Sequence, residues 1–332
     1  MGKYSKKQIK ITDKMKIEEK KNVFGFMCKL SALWLTLFPM FVSAQEVILP
    51  FNTTEVTSED LDRKPVYAGY PKRVTEQVKS WGEDCVQPVE GLGPFSVSAT
   101  TQVVFSPGNL QYQASTKTWR FAEHQYDYIG DANKNISASY TGWIDLFGWG
   151  TGNAPTKSST SYSDYSSFTD WGINPISNGG NTANQWRTLT KDEWVYLFNT
   201  RSTPSGIRYA KATLELTGGT KVSGVILLPD NWEASYHELV SVNESGANFT
   251  TNNFPVSVWL ISFEAKGAVF LPASGYRNGT SVHNVGTRGR YWSSTAYNTN
   301  YAYNLYFYSS SLNPQYSYYR YYGFAVRLVS GL

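Results

Sequence analysis

Residues 95–332 of this sequence predict an α+β fold: a compact domain of short antiparallel strands, one or two helices and long irregular loops. Three observations carry that prediction. Short apolar or alternating runs are separated by Gly, Asn and Ser clusters, the pattern of brief strands joined by turns. One stretch alone, near residue 190, has a well-defined helix start. And residues 151–184, rich in Ser, Thr, Asn and Gly, show no periodicity and read as a long irregular insertion.

The elements follow in order along the chain. Residues 1–44 have the parts of a secretory signal: nine Lys in the leader, the apolar run from Leu30 to Phe41, then Val42-Ser43-Ala44 before Gln45. The apolar run is shorter than the ~20 residues that a membrane-spanning helix needs, so no stable span is expected after cleavage. Residues 45–94 carry Pro50, Pro65, Pro71, Pro88 and Pro94 and the Gly91-Leu92-Gly93-Pro94 hinge, and read as a tether or small accessory segment, with a short helix over Val74 to Trp81. Beyond it, Thr101 to Phe105, Val222 to Leu228 and Ala268 to Leu271 are apolar enough for buried strands, and Pro107-Gly108-Asn109 signals a turn. Thr190-Lys191-Asp192-Glu193 fits a capping box, and Trp194, Leu197 and Phe198 then fall on one face of the helix it opens. Asp230-Asn231-Trp232-Glu233 is either a second helix start or a turn.

Charge and composition narrow the function. The formal charge is +4, but nine Lys against Asp13, Glu18 and Glu19 give the leader +6, which leaves −2 for the rest. A nucleic-acid partner is therefore not expected. Charged residues make up 17% of the chain, below the usual quarter, while aromatic residues reach 16%; the surface relies on uncharged polar and aromatic groups. Cys28 precedes the apolar run and Cys85 has no second cysteine after the leader, so neither a disulfide framework nor a thiolate metal cluster is available. His124, His237 and His283 are dispersed, and Asp145, Asp164, Asp170, Asp230 and Glu233 lie among turn signals; no metal site and no catalytic residue is expected from them. Gly148-Trp-Gly-Thr-Gly152 lacks the Lys-Ser/Thr of a phosphate loop. A glycosidase carboxylate pair stays open, because separation in space is not readable from sequence.

Residues 291–322 are the most unusual: eleven Tyr, six Ser and four Asn occupy 21 of 32 positions. Asn304, Tyr306 and Tyr308 fall on one face of a strand whose other face is Leu305 and Phe307, Ser309 to Pro314 make a polar connection, and Phe324, Val326 and Leu328 alternate as in a half-buried strand. A hairpin-like pair gathers Tyr and Asn on one exposed surface. Tyr offers rigid contact area with a hydroxyl at low entropic cost, and Ser and Asn add adaptable hydrogen bonds, the chemistry of antibody contact loops. The competing reading is a self-associating polar strand.

Four segments in fixed order carry a resemblance: Trp186-Arg-Thr-Leu-Thr-Lys-Asp-Glu-Trp194, Gly267-Ala-Val-Phe-Leu-Pro-Ala-Ser-Gly-Tyr-Arg277, Gly289-Arg-Tyr-Trp-Ser-Ser294 and Gly323-Phe-Ala-Val-Arg327. Over about residues 95–332 the chain resembles C-type-lectin-like domains of the formylglycine-generating-enzyme-like and major-paralogous-domain type, and is most similar to variable proteins of diversity-generating retroelements. The resemblance implies a ligand-binding protein without a cofactor, whose polar tract is rewritten at adenines by mutagenic reverse transcription. It implies ligand contacts at Tyr297, Asn298, Asn300, Tyr301, Tyr303, Asn304, Tyr306, Tyr308, Tyr316, Tyr318, Tyr319, Tyr321 and Tyr322, with Trp292, Gly323, Phe324 and Arg327 as scaffold. The expected partner is a protein or a cell-surface glycan, met at the cell surface, in the periplasm or outside the cell. The cysteine pair and three-His site of enzymes of this fold, and the sugar-binding triplets of calcium-dependent lectins, are not found in the sequence. An adhesion subunit that self-associates through its tyrosines, or a non-metal enzyme of the same fold, are the alternatives.

Overall fold

The computed structural model describes residues 92–332; Cys28, Cys85 and the residues of the expected secretory signal, of the expected helix over 74–81 and of nearly all of the expected tether lie outside the described residues. The chain in this range is mainly β with few short helices, an α+β fold in which nearly all strand pairs are antiparallel. β1 (Leu92–Ser96), β2 (Gln102–Phe105), β6 (Arg187–Thr188) and β16 (Leu328–Gly331) form a four-stranded sheet in the order β1-β2-β16-β6. Leu92, Gly93 and Pro94 therefore belong to the first strand and not to a hinge: Leu92 pairs with Phe105, and Phe95 with Val103. β3 (Leu110–Gln113), β4 (Thr118–Phe121) and β5 (Trp143–Ile144) make a small second sheet.

β7 (Tyr209–Glu215), β8 (Lys221–Leu227), β9 (Asn253–Pro255) and β10 (Val269–Pro272) form a third sheet, ordered β10-β8-β7-β9, with β7 and β9 parallel. β11 (Tyr276–Asn278) pairs with β12 (Ser281–His283). β13 (Arg288–Ala296), β14 (Tyr301–Tyr308) and β15 (Ser311–Tyr319) form a three-stranded meander that holds most of the tyrosine tract. Between Thr151 and Asn184 no strand forms, in agreement with the irregular insertion read from its composition.

The helix at 190 forms as its sequence specifies. Thr190 Oγ1 accepts the Glu193 N–H at 3.2 Å and Glu193 Oε2 accepts the Thr190 N–H at 2.8 Å, which satisfies two otherwise orphaned donors. This is α1 (Lys191–Val195), which widens into a π turn over Tyr196–Thr200. Its apolar face, Trp194, Leu197 and Phe198, is buried with Val225, Leu227, Val269, Leu271 and the underside of the meander. Asp230 starts a turn and no helix; its carboxylate instead accepts the Ser96 N–H at 2.7 Å and the Arg201 guanidinium at 2.9 Å. The second helical segment, α2, lies elsewhere: Val256–Val258, Trp259–Phe263 and Glu264–Lys266 run on in α, π and 3-10 geometry. Among the described residues no helix is long and apolar enough to cross a membrane.

Candidate ligand-binding surface

The tract turns twice. Tyr308 pairs with Ser311, so Ser309 and Ser310 alone connect β14 to β15, and Ser311 to Pro314 lie within β15 rather than in a polar connection. Asn304 pairs with Tyr316 but Tyr306 with Asn313, so one extra residue bulges opposite Leu305. Pro314 sits in that bulge, where a missing N–H costs no ladder bond. At the other end Asn298 Oδ1 accepts the N–H groups of Asn300 and Tyr301, both at 2.9 Å, which closes the turn between β13 and β14.

The underside of the meander is core. Tyr291, Leu305, Phe307 and Leu312 are buried against α1 and the third sheet. Gly289 faces Phe307 across the strands, and a Cβ there would meet the Phe307 ring at 2.0 Å; only glycine lets that ring lie flat. The segment from Phe324 to Val329 is buried at every residue, not at alternate ones. It departs from the half-buried alternation expected because it threads between sheets: Phe324 bridges Phe147, Ala325 bridges Tyr291, and only from Leu328 does it join a sheet. Arg327 is buried with it and donates to the carbonyls of Ser106 (3.1 Å), Gln125 (3.1 Å) and Phe270 (2.6 Å). Trp292 stacks on Phe324 at 4.2 Å, and its indole donates to the Phe147 carbonyl at 2.7 Å.

The tyrosines do not share a single face. Tyr306, Tyr308, Tyr316 and Tyr318 lie on the side opposite Leu305 and Phe307, with ring centroids 5.0 Å apart for Tyr306–Tyr316 and 5.4 Å for Tyr306–Tyr308. Tyr301 and Tyr303 alternate with them and continue the Leu305 side beyond the core, where Tyr301 stacks on Tyr319 at 4.4 Å and Tyr297 packs edge-on to Tyr303 at 5.3 Å. Tyr321 and Tyr322 join the two groups, Tyr322 lying 4.7 Å from Tyr318 and 6.3 Å from Tyr319. Tyr297 and Asn298 are exposed; Asn300, Tyr301, Tyr303, Tyr308, Tyr316, Tyr318, Tyr319, Tyr321 and Tyr322 are half-buried. Two expected contacts differ. Asn304 has no exposed surface: it sits under the bulge, and its Nδ2 donates to the Tyr316 carbonyl at 2.9 Å, tying β14 to β15. Tyr306 is nearly buried because it covers an arginine.

Several members of the site come from outside the tract. Arg290 on β13 lies 4.0 Å from the Tyr306 ring centre, 4.4 Å from Tyr318, 5.3 Å from Tyr316 and 5.5 Å from Tyr276, which enters from β11. Tyr162, from the irregular insertion, stacks on Tyr319 at 6.0 Å. Arg320 is buried beneath the turn and donates to the carbonyls of Tyr301 (3.3 Å), Tyr165 (3.2 Å), Ser166 (3.1 Å) and Asn298. Lys211 of β7 reaches the Tyr308 carbonyl at 2.7 Å and so holds the far end of the hairpin. Tyr276 and Arg290 stand in two of the quoted motifs; Tyr162, Arg320 and Lys211 have no local signal in the sequence, because their contacts join separate elements.

The hydrogen bond with Tyr319, reinforced by burial, pushes the Tyr301 phenol up to about 12, and burial with a hydrogen bond to Tyr322 pushes Tyr318 up to about 12. Both are O–H donors near pH 7. Burial lowers the Arg290 guanidinium from its ordinary value, with the neighbouring tyrosines acting in the opposite sense; it starts so high that it stays a cation.

Residues 239–329 match the model of a domain of unknown function, DUF8237. The matched stretch runs from before α2 to the start of β16, and so takes in the meander and its buried frame. No curated protein and no solved structure matches the chain. The three histidines go to three places: His124 pairs with Asp127 at 2.8 Å, His237 packs on Phe254 at 4.9 Å, and His283 lies 5.3 Å from Tyr276. Among the described residues no three His, Cys, Asp or Glu side chains gather as a metal site would. Asp170 is occupied by the Thr188 N–H and hydroxyl, each at 3.0 Å, and Glu193 by Arg187 in a two-pronged pair at 2.8 and 2.6 Å.

Proposed function

We propose that this chain is an exported recognition protein that binds a protein or cell-surface glycan through the tyrosine-rich meander and its turns. The supporting observation is the division of labour within β13–β15. One side is anchored by Tyr291, Leu305, Phe307 and Leu312, while Tyr297, Tyr301, Tyr303, Tyr308, Tyr316, Tyr318, Tyr319, Tyr321 and Tyr322 keep part of their surface in solvent. Rigid aromatic area that carries hydroxyls, on strands anchored largely by other residues, suits a binding surface. The resemblance to C-type-lectin-like variable proteins of diversity-generating retroelements supports the same reading and adds that the exposed codons are the ones rewritten. Self-association through strand pairing is less favoured: edge strand β15 carries a bulge and Pro314, features that spoil an edge as a template.

The test compares the full chain with a variant in which Tyr301, Tyr303, Tyr308, Tyr316, Tyr318 and Tyr319 are Ser. Thermal melts and binding to an array of bacterial-surface glycans and proteins are measured for both. Equal folding with binding lost supports the proposal. Equal binding by both refutes it, and concentration-dependent assembly abolished by the substitutions moves the function to the adhesion subunit.

A further inference from the structure

Arg290 differs from every other buried arginine in the fold. Arg327 and Arg320 donate to backbone carbonyls, Arg277 to those of Leu146, Lys157 and Gly279, and Arg201 to Asp230 and the Leu228 carbonyl. Arg290 is only 3% exposed, yet its Nε and Nη1 are buried with no hydrogen-bond partner. Aromatic rings surround it: Tyr306, Tyr318, Phe324, Tyr316 and Tyr276, at 4.0 to 5.5 Å. Ring faces stabilise the positive charge. They do not replace acceptors for the in-plane N–H fork, whose natural complement is a carboxylate.

A second observation concerns the strands that build this face. From Ala265 to Leu332 the sequence contains no Asp and no Glu, but it contains Lys266, Arg277, Arg288, Arg290, Arg320 and Arg327. Arg288 lies two residues along the same side of β13, 5.7 Å from the Tyr308 ring centre. The strands β13, β14 and β15 therefore bring two arginines, Arg288 and Arg290, and no carboxylate to the tyrosine face, a balance that favours a negative ligand.

We infer that Arg290 recognises the carboxylate of an acidic saccharide, a uronic-acid-type sugar whose ring stacks on the surrounding tyrosines. The inference rests on the recognition function proposed above and names its ligand class. A carboxylate suits the site better than a phosphate: it is planar, matching the guanidinium fork, and brings one negative charge to one buried cation. A saccharide suits it better than an acidic peptide, because a pyranose lays its C–H face against aromatic rings. A peptide would carry backbone N–H and C=O groups into an aromatic surround that offers them few partners. Tyr276, Tyr316 and Tyr318, the outer rings, are half-buried, so their rotation opens the guanidinium edge to a ligand.

Titration calorimetry of the full chain with tetragalacturonate and with its fully methyl-esterified form tests this, since the ester keeps the sugar chain and loses the carboxylates. The acid is expected to bind about 10- to 100-fold more tightly than the ester, the range for a hydrogen-bonded charge. Arg290→Gln should erase that ratio and Arg290→Lys should retain part of it. Equal binding of acid and ester, no binding of the acid, or a ratio that persists in Arg290→Gln would each overturn the inference. Tighter binding of tetra-aspartate or of inorganic phosphate than of tetragalacturonate would also overturn the saccharide assignment. The acid-to-ester ratio is read on the unaltered protein, so a failure of Arg290→Gln to fold does not void the test. If the tyrosine-to-serine variant loses its array ligands while the parent treats acid and ester alike, the binding surface stands and the role of Arg290 falls.

Discussion

Replacing Arg320 by alanine should unfasten the tyrosine surface from the rest of the domain. Its guanidinium donates to four carbonyls, in the turn before β14 (Asn298), at the first residue of β14 (Tyr301) and in the irregular insertion (Tyr165, Ser166), and it lies 4.3 Å from the centre of the Trp149 ring. Each hydrogen bond to a charged group is worth about 1.5–3 kcal/mol, and the ring contact about 0.5–2 kcal/mol. These contributions are not additive, and water reaches part of the emptied space. A loss of about 3–5 kcal/mol is therefore expected, in the range for breaking a buried polar network. For a domain of this size that corresponds to a fall in melting temperature on the order of 10 °C. Hydrogen exchange should show where the loss begins: the Tyr301 and Asn300 amides, held by Asn298, should lose protection before those of β7 and β8. A variant that melts within about 1 °C of the parent, with unchanged protection at Asn300 and Tyr301, would refute the idea that Arg320 is what holds turn and insertion together.

Two pH dependences follow from buried titratable groups, Asp145 and Lys211. Burial pushes the Asp145 carboxyl up to about 6 from an ordinary 3.8, against the opposing hydrogen bonds from Ile129 and Asn133. The folded state then holds the proton more tightly than the unfolded chain, so this group's contribution is full below pH ~4 and is lost as pH rises through ~6, by at most about 3 kcal/mol. Melting temperatures recorded between pH 4 and 7 should show this decline and Asp145→Asn should flatten it, while the variant is less stable throughout because an amide N–H₂ meets a donor where an oxygen stood; an unchanged slope would clear Asp145 of the effect. Lys211 behaves as a base of the opposite kind, its ammonium lowered by burial from 10.5 to about 8. The unfolded chain binds that proton more tightly, so stability should rise between pH ~8 and ~10.5 by up to about 3 kcal/mol. Lys211→Met should abolish the rise and, through the lost bond to the Tyr308 carbonyl, loosen the β14–β15 turn; a parent whose melting temperature is flat over that range would refute it.

What the sequence reveals and what it hides follow from the range of the interactions. The capping box at Thr190, the apolar face of Trp194, Leu197 and Phe198 and the strands around Val103, Val225 and Phe270 depend on neighbours a few residues away, and all are legible. The helical segment from Val256 to Lys266 is not. Its Val-Ser-Val-Trp-Leu-Ile-Ser-Phe run mixes β-branched and apolar residues without a clear period. It is helical because Trp259 packs on Phe270 and Phe263 on Trp232, partners that lie outside the segment itself. The tyrosine tract is legible as a surface from its composition. Its division into two sides is not, since the bulge opposite Leu305 shifts the register of β15 and removes Asn304 from solvent. Arg290 reads as part of the frame before the polar stretch and Arg320 as an ordinary charge within it; only the fold brings Tyr276 to the first, and Trp149 and Tyr165 to the second.

The stacking of Trp292 on Phe324 has a further meaning. The two residues bracket the tract, their rings are 4.2 Å apart, and the Trp292 N–H meets the Ala325 carbonyl at 3.1 Å. The chain thus enters and leaves the meander through one narrow doorway. Whatever lies between is a cassette with its ends already joined, so exchanging it for another meander of different length alters no distance the interior must span. A transplanted cassette would need to bring along its own apolar underside, the counterpart of Leu305, Phe307 and Leu312, together with its own Arg320, the latch that reaches back across the threshold.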